Sequence, residues 1–325
     1  MSFGNRISLI LALTLAAALA LGPAARAQSS FPTKPVRLIV PFPPGQATDI
    51  VARLLAEDLG KLWGKQVIVD NRAGGASVPG MIAGRDAAAD GYTLTFATSS
   101  TIAVNPALYL KLPYSAKEFA FVHAVFAQPW LIVAHPASGY DTLDKVVQSA
   151  KKDPGKLQWG YGATALQLAA ELFKFRAGVD IMGVPYKGSG PAVTDLLGGQ
   201  IMLLVDTMAS SLPHIKAGKI VPLAVLSAQR VPQLPAVPTV AELGYPGYEG
   251  TGWGGLVAPK ATPADLVERI GADVQHVLGN PQLQQRLIER GAVPDLRGPK
   301  EWSAFVEAEV AKWADVVRRA NVTVQ

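Results

Sequence analysis

Val36-Arg37-Leu38-Ile39-Val40-Pro41-Phe42-Pro43-Pro44-Gly45-Gln46-Ala47-Thr48-Asp49-Ile50-Val51-Ala52-Arg53-Leu54-Leu55 reads as a strand, a loop and a helix in one stretch. Val36–Val40 is apolar and rich in β-branched residues, and the prolines that follow end it, because proline cannot donate to a ladder. Ile50, Val51, Leu54, Leu55 and Leu59 then recur at offsets of about three and four, the spacing of one helix face. The first N–H groups of a helix have no intrahelical acceptor, so here they point into the mouth of the loop. With the positive end of the helix dipole they form a site for a carboxylate or phosphate. Gly45 permits a backbone shape and a close approach that a side chain would obstruct. Thr48 or Asp49 is equally suited to capping the helix, so spacing alone leaves cap and anion site both open.

The same alternation continues along the chain. Gln66–Val69, Tyr92–Phe96, Trp130–Val133, Leu157–Trp159, Ile181–Val184 and Leu203–Val205 read as strands. Helical spacing near 142–152, 165–177, 190–198 and 209–217 separates or follows them. The pattern predicts an α/β fold of parallel sheet with helices on both faces. Val231–Gly247 reads as a proline-rich surface connection, Trp253–Pro259 as a return strand, and Pro263 to about Arg319 as almost purely helical. Ligands of open α/β sheets bind outside the carboxyl ends of strands. Two further loops lie at such ends, Trp159-Gly160-Tyr161-Gly162-Ala163-Thr164 and the hydroxyl-rich Phe96-Ala97-Thr98-Ser99-Ser100-Thr101. Loops from two lobes facing one another would grip a ligand carrying a negative group.

At 325 residues, 49% hydrophobic and 17% charged, the chain is too long for one small core and too apolar for disorder, and the length predicts two lobes. Zero cysteines exclude disulfides, thiolate metal sites and cysteine nucleophiles. Arg6, the apolar run Ile7–Leu21 and Ala25-Arg26-Ala27 predict a secretory signal cut after Ala27. That cut removes two arginines and no acid, taking the formal charge from +5 to +3. No later stretch is long and apolar enough to span a bilayer, so the expected mature protein is soluble and outside the cytoplasm. The basic pairs Lys151-Lys152 and Arg318-Arg319 read as solvated faces near helix ends, and nucleic acid is not an expected partner.

Catalytic signatures are scarce. The chain has no phosphate-binding loop ending in Gly-Lys-Ser/Thr, no His-Glu-x-x-His and no Gly-x-Ser-x-Gly elbow. His123, His135, His214 and His276 are scattered without metal-ligand spacing, so no metal and no cofactor is expected. Asp206, ending an apolar strand, suits a general base, a ligand contact or a helix cap. Trp159, Tyr161 and Trp253 read as core or hinge packing, with stacking on an aromatic ligand as the alternative.

Several segments together resemble one family. They are Pro41-Phe42-Pro43-Pro44-Gly45 with Asp49, Val69–Gly74, Asp90–Leu94, Asn105–Tyr109, Val184–Gly188, Gly198-Gly199-Gln200, Pro238–Glu242 and Trp253–Pro259. In this order they resemble the extracytoplasmic solute receptors of the tripartite tricarboxylate transporter system, the Bug receptors. The resemblance implies a two-lobed periplasmic binding fold that closes like a flytrap, each lobe a mostly parallel sheet flanked by helices, with two crossovers near Gln128 and Gly252. It implies a first lobe of residues 28–128 and 253–325 and a second of 129–252. It further implies a small carboxylate held by backbone amides, delivery to membrane subunits of the transporter, a monomeric receptor and no catalysis. Carried over, Gly45, Gln46, Ala47, Asp49, Thr98 and Ser99 would meet the ligand from one lobe, and Ala163, Thr164 and Asp206 from the other. Two departures bear on the solute: Gln46 stands where the family usually has a second glycine, and Gln167 replaces a histidine after a shortened second-lobe loop. The rival expectation is an exported hydrolase or isomerase using Asp206 or a histidine as base.

Overall fold

The computed structural model describes residues 31–320 apart from Leu110 and Lys187. The expected signal segment, residues 1–27, lies outside the described residues. β1 (Val36–Val40) pairs in parallel with β2 (Val67–Asn71) on one side and β3 (Thr93–Thr98) on the other. The register sets Leu38 opposite Val69 and Leu94. Helix α1 (Ala47–Trp63) forms because Val51, Leu55 and Leu59 fall on one buried face. It stops at Gly64, whose left-handed φ of 59° is a glycine C-cap. Burying Leu55 and Leu59 contributes about 1.5–3 kcal/mol each. Helix α2 (Val78–Arg85) and the short α3 (Asn105–Leu108) complete this part of the chain.

Strand β4 runs 16 residues, Phe119–Ala134, roughly 53 Å at 3.3 Å per residue, and joins two sets of strands. Its first portion pairs antiparallel with β9 (Thr251–Pro259) and with β10 (Val293–Pro294). Its last portion, Trp130–Ala134, pairs antiparallel with β7 (Leu203–Thr207) and β8 (Val221–Val225). β7 in turn carries β5 (Gln158–Tyr161) and then β6 (Met182–Pro185) in parallel. The strand order is β2-β1-β3-β9-β4-β7-β5-β6. Parallel pairing therefore holds within β1–β3 and within β5–β7, whereas β4 and β9 run against their neighbours, which makes the sheet mixed. Gln128 and Gly252 are register partners, so the two expected crossing points lie side by side.

Helices α4 (Leu143–Lys152), α5 (Thr164–Ala177), α6 (Ser189–Leu197) and α7 (Met208–Lys216) alternate with the strands as the periodicity predicts. The C-terminal region is helical in three pieces: α8 (Ala264–Leu278), α9 (Pro281–Glu289) and α10 (Pro299–Ala320). Helix α10 packs against both β4 and α5. Its Glu309 is buried, and one carboxylate oxygen accepts Trp253 Nε1 at 2.7 Å and Trp313 Nε1 at 3.0 Å. The expected core or hinge aromatics are all buried: Trp159, Tyr161 and Trp253. No helix among the described residues is long and apolar enough to cross a membrane.

Candidate functional site

A cavity of ≈ 680 Å³ opens at the carboxyl ends of β1, β3, β5 and β7. One wall begins where β1 runs into its prolines. Gly45 takes φ +84°, a left-handed value that favours glycine, and turns the chain into Gln46, the N-cap of α1. No side chain caps this helix. Asp49, 2% exposed, works behind the loop instead. Its Oδ2 accepts the Gly45 N–H at 2.8 Å and Arg53 Nε at 3.0 Å, and its Oδ1 accepts Asn71 Nδ2 at 2.8 Å. Burial pushes the Asp49 carboxyl up, but the bonds from Arg53, Gly45 and Asn71, with the Arg53 charge, outweigh it and hold the group below its ordinary range. The Gln46 N–H reaches Pro43 O at 3.5 Å.

The donors left over are therefore not those of Gly45 and Gln46. They are the first amides of the helix itself, at Ala47, Thr48 and Asp49, which have no acceptor among the described residues. Gln46, Ala47 and Thr48 line the cavity. At the end of β3, Thr98, Ser99 and Ser100 line it too. Thr98 is spoken for, since it exchanges bonds with Thr101 in a capping box.

The opposite wall repeats the first in a different sequence. α5 starts at Thr164 after Ala163, again with no side-chain cap, leaving the amides of Thr164, Ala165 and Leu166 without acceptors. α6 starts at Ser189 after Gly188 (φ 119°), also uncapped. α7 differs, because Thr207 Oγ1 accepts the Ser210 N–H at 3.3 Å. Three uncapped helix starts thus converge on one cavity, each with partial positive charge, and an oxyanion is the group that satisfies them.

Of the residues named from sequence, Gly45, Gln46, Ala47, Thr98, Ser99 and Ala163 line the cavity, and Asp49, Thr164 and Asp206 do not. Asp206 is fully buried, and its two oxygens accept the Ser189 and Ser211 hydroxyls. Burial raises its carboxyl above the ordinary range, while those bonds and others from Thr207 and Ser210 pull it back in part. It pins the start of α6 to the end of β7. Sequence reading missed Phe126 and Gln128, Ser189, and Arg290 with Gly291 as lining residues. Only Ser189 had a signal, the neighbouring Val184–Gly188 segment. No His line the cavity, and no cluster able to hold a metal ion occurs among the described residues.

Residues 51–322 match the tripartite tricarboxylate transporter family receptor. The chain belongs to that family. Its curated relatives include BugT of Bordetella pertussis, 38% identical over 90% of this chain and 91% of that protein. Among solved structures, an R. palustris protein with adipate is 35% identical, covers 90% of this chain and 99% of its own, and superposes with a TM-score of 0.79. MatC from Rhodopseudomonas palustris with bound malate is 30% identical over 88% of this chain and all of its own, at a TM-score of 0.74. The receptor therefore has the two-lobed α/β fold of periplasmic binding proteins, and its relatives are solute-binding receptors.

Proposed function

We propose that this receptor captures a small carboxylate in the periplasm and presents it to membrane subunits of a tripartite transporter. The observation that carries the reading is the convergence of three uncapped helix starts, α1, α5 and α6, on one cavity. Adipate and malate in the related structures support a carboxylate as the anion. Each charge-assisted hydrogen bond contributes ~1.5–3 kcal/mol, and a few of them, net of association costs, reach the roughly −8 kcal/mol of a micromolar complex.

The lobes would be residues 28–128 with 253–325, and 129–252. Gln128 and Gly252, paired across β4 and β9, would form the hinge. Closure would bring α5 and α6 toward α1 around the bound anion and select the closed state. Gly45, Gln46, Ala47, Ser99 and Ala163 would contact the solute, while Asp49, Thr98 and Asp206 would hold the loops in place and Thr164 would offer its amide. Export would follow cleavage after Ala27, and the receptor would act as a monomer without catalysis. Against the hydrolase or isomerase alternative, both Asp206 oxygens are occupied by serine hydroxyls and its carboxylate is sealed from the cavity.

Titration calorimetry of the mature protein against mono-, di- and tricarboxylates, with proton NMR of the same mixtures, tests the reading. Saturable binding with the carboxylate unchanged supports it. No heat with any carboxylate, or appearance of product, overturns it.

A further inference from the structure

The cavity wall is neutral except at one place. Among the described lining residues only Glu289 and Arg290 carry charge. Glu289 accepts Gln285 Nε2 at 3.0 Å. Arg290 is exposed, and its guanidinium has no hydrogen-bond or ion-pair partner among the described residues. Its backbone, by contrast, is fixed. The Arg290 N–H donates to Leu287 O at 3.0 Å, and the Gly291 and Ala292 N–H groups donate to Ile288 O and Leu287 O at 3.0 Å. Ile288 O also accepts Gln233 Nε2 at 3.2 Å. Gly291, at φ +76°, lies so close to α7 that a Cβ there would stand 2.9 Å from the Ala209 Cα. The end of a helix favours a cation through its dipole, which accounts for a basic residue following α9. It does not require that residue to border the cavity with its five donors unclaimed.

We propose that Arg290 is a specificity-determining residue that reads a second anionic group on the solute. The inference rests on the carboxylate reading above. One carboxylate occupies the amides of the helix starts, and the far anionic group of a dicarboxylate pairs with Arg290. A planar guanidinium matches the two oxygens of a carboxylate in a bidentate geometry that a backbone amide cannot offer. A solute with a neutral tail leaves Arg290 hydrated and gains nothing from it. Because the side chain is exposed, water and salt screen the pair, which sets its effect near the lower end for a charged hydrogen bond, about tenfold in affinity.

The test compares length-matched acids on the mature protein by titration calorimetry: succinate with butyrate, glutarate with pentanoate, and adipate with hexanoate. Wild-type protein is expected to favour the dicarboxylate of its best-fitting pair by about tenfold or more. Arg290→Gln is expected to bring that ratio to within about twofold by lowering the dicarboxylate affinity far more than the monocarboxylate affinity, and Arg290→Lys to retain part of the preference. The apo melting temperatures of all three proteins should coincide, since the side chain has no structural partner. A dicarboxylate preference that survives in Arg290→Gln overturns this inference alone, as does an equal loss for both members of each pair. Failure of wild-type protein to bind any of the six acids overturns this inference, and the carboxylate reading falls with it only when the wider panel of mono-, di- and tricarboxylates also gives no heat.

Discussion

Asp49 is the post on which the first loop of the cavity wall is hung, and replacing it with alanine should show this twice. The substitution removes the acceptors of Gly45 N–H, Arg53 Nε and Asn71 Nδ2. The Arg53 side chain is 53% exposed, so its ion pair adds less than about 1 kcal/mol. The two remaining charge-assisted bonds contribute ~1.5–3 kcal/mol each, and because they share one carboxylate their loss is not additive. A destabilisation of about 3 kcal/mol is expected, a fall in Tm of roughly 5 °C for a chain of this size at an unfolding entropy of about 2.1 cal/mol/K per residue. Affinity should fall further than the fold requires, by about 10- to 100-fold, because the amides of Ala47 and Thr48 lose their fixed aim. The pH dependence has a definite sign. The folded carboxyl lies below its ordinary value of 3.8, so its contribution is present above that value and is lost as pH falls through the folded pKa. The stability gap between wild type and Asp49→Ala should therefore narrow below about pH 4. Urea unfolding across pH, with calorimetric titration of adipate and malate, measures both effects. A variant within 1 kcal/mol of wild type that binds within twofold would refute the reasoning.

Other residues give sharper contrasts. Gly45→Asn should be milder than Gly45→Val in both stability and carboxylate affinity. A Cβ there meets nothing within 4 Å, so the cost comes from the left-handed φ that asparagine tolerates and valine does not, and urea unfolding with calorimetry would show the order. Gly291→Ala drives a Cβ against the backbone of Ala209 and should weaken binding about tenfold with a smaller change in apo stability, read by the same two methods. Asp206→Asn should lose the pH dependence that burial gives wild type. The folded carboxyl is raised, so its stabilising effect is present below its ordinary value and disappears as pH rises through the folded pKa, opposite in sign to Asp49, and thermal melts from pH 3 to 8 separate the two.

The α/β alternation was legible because β1, β3 and β7 are short apolar runs bounded by proline, glycine or a helix, and α1 shows one apolar face. β4 was half hidden. Trp130–Val133 announces itself, but Phe119–Pro129 carries a buried histidine and a proline and has no turn to set it apart. Its antiparallel pairing with β9 depends on segments more than a hundred residues apart, which no local pattern encodes. β8 was obscured by Pro222, tolerable because its register on β4 shifts between Ile132 and Val133, where the proline sits. At the site, the sequence left the loop after β1 open between helix cap and anion site, and it did not show which amides stay free. That depends on Asp49 turning back to take the Gly45 N–H, a choice between cap and clamp that the side-chain types leave undecided. Arg290 was illegible for a simpler reason: it follows an ordinary amphipathic helix, and only Gly291 packing on Ala209 carries it to the cavity.

Backbone amide shifts test the central claim most directly. In a nitrogen-15-labelled sample titrated with adipate, malate or another carboxylate that binds, the amides of Ala47, Thr48, Ala165 and Ser189 should show the largest downfield proton shifts, saturating together with the calorimetric isotherm. If those four stay in place while a different set of amides shifts, the helix starts do not hold the anion and the account is wrong.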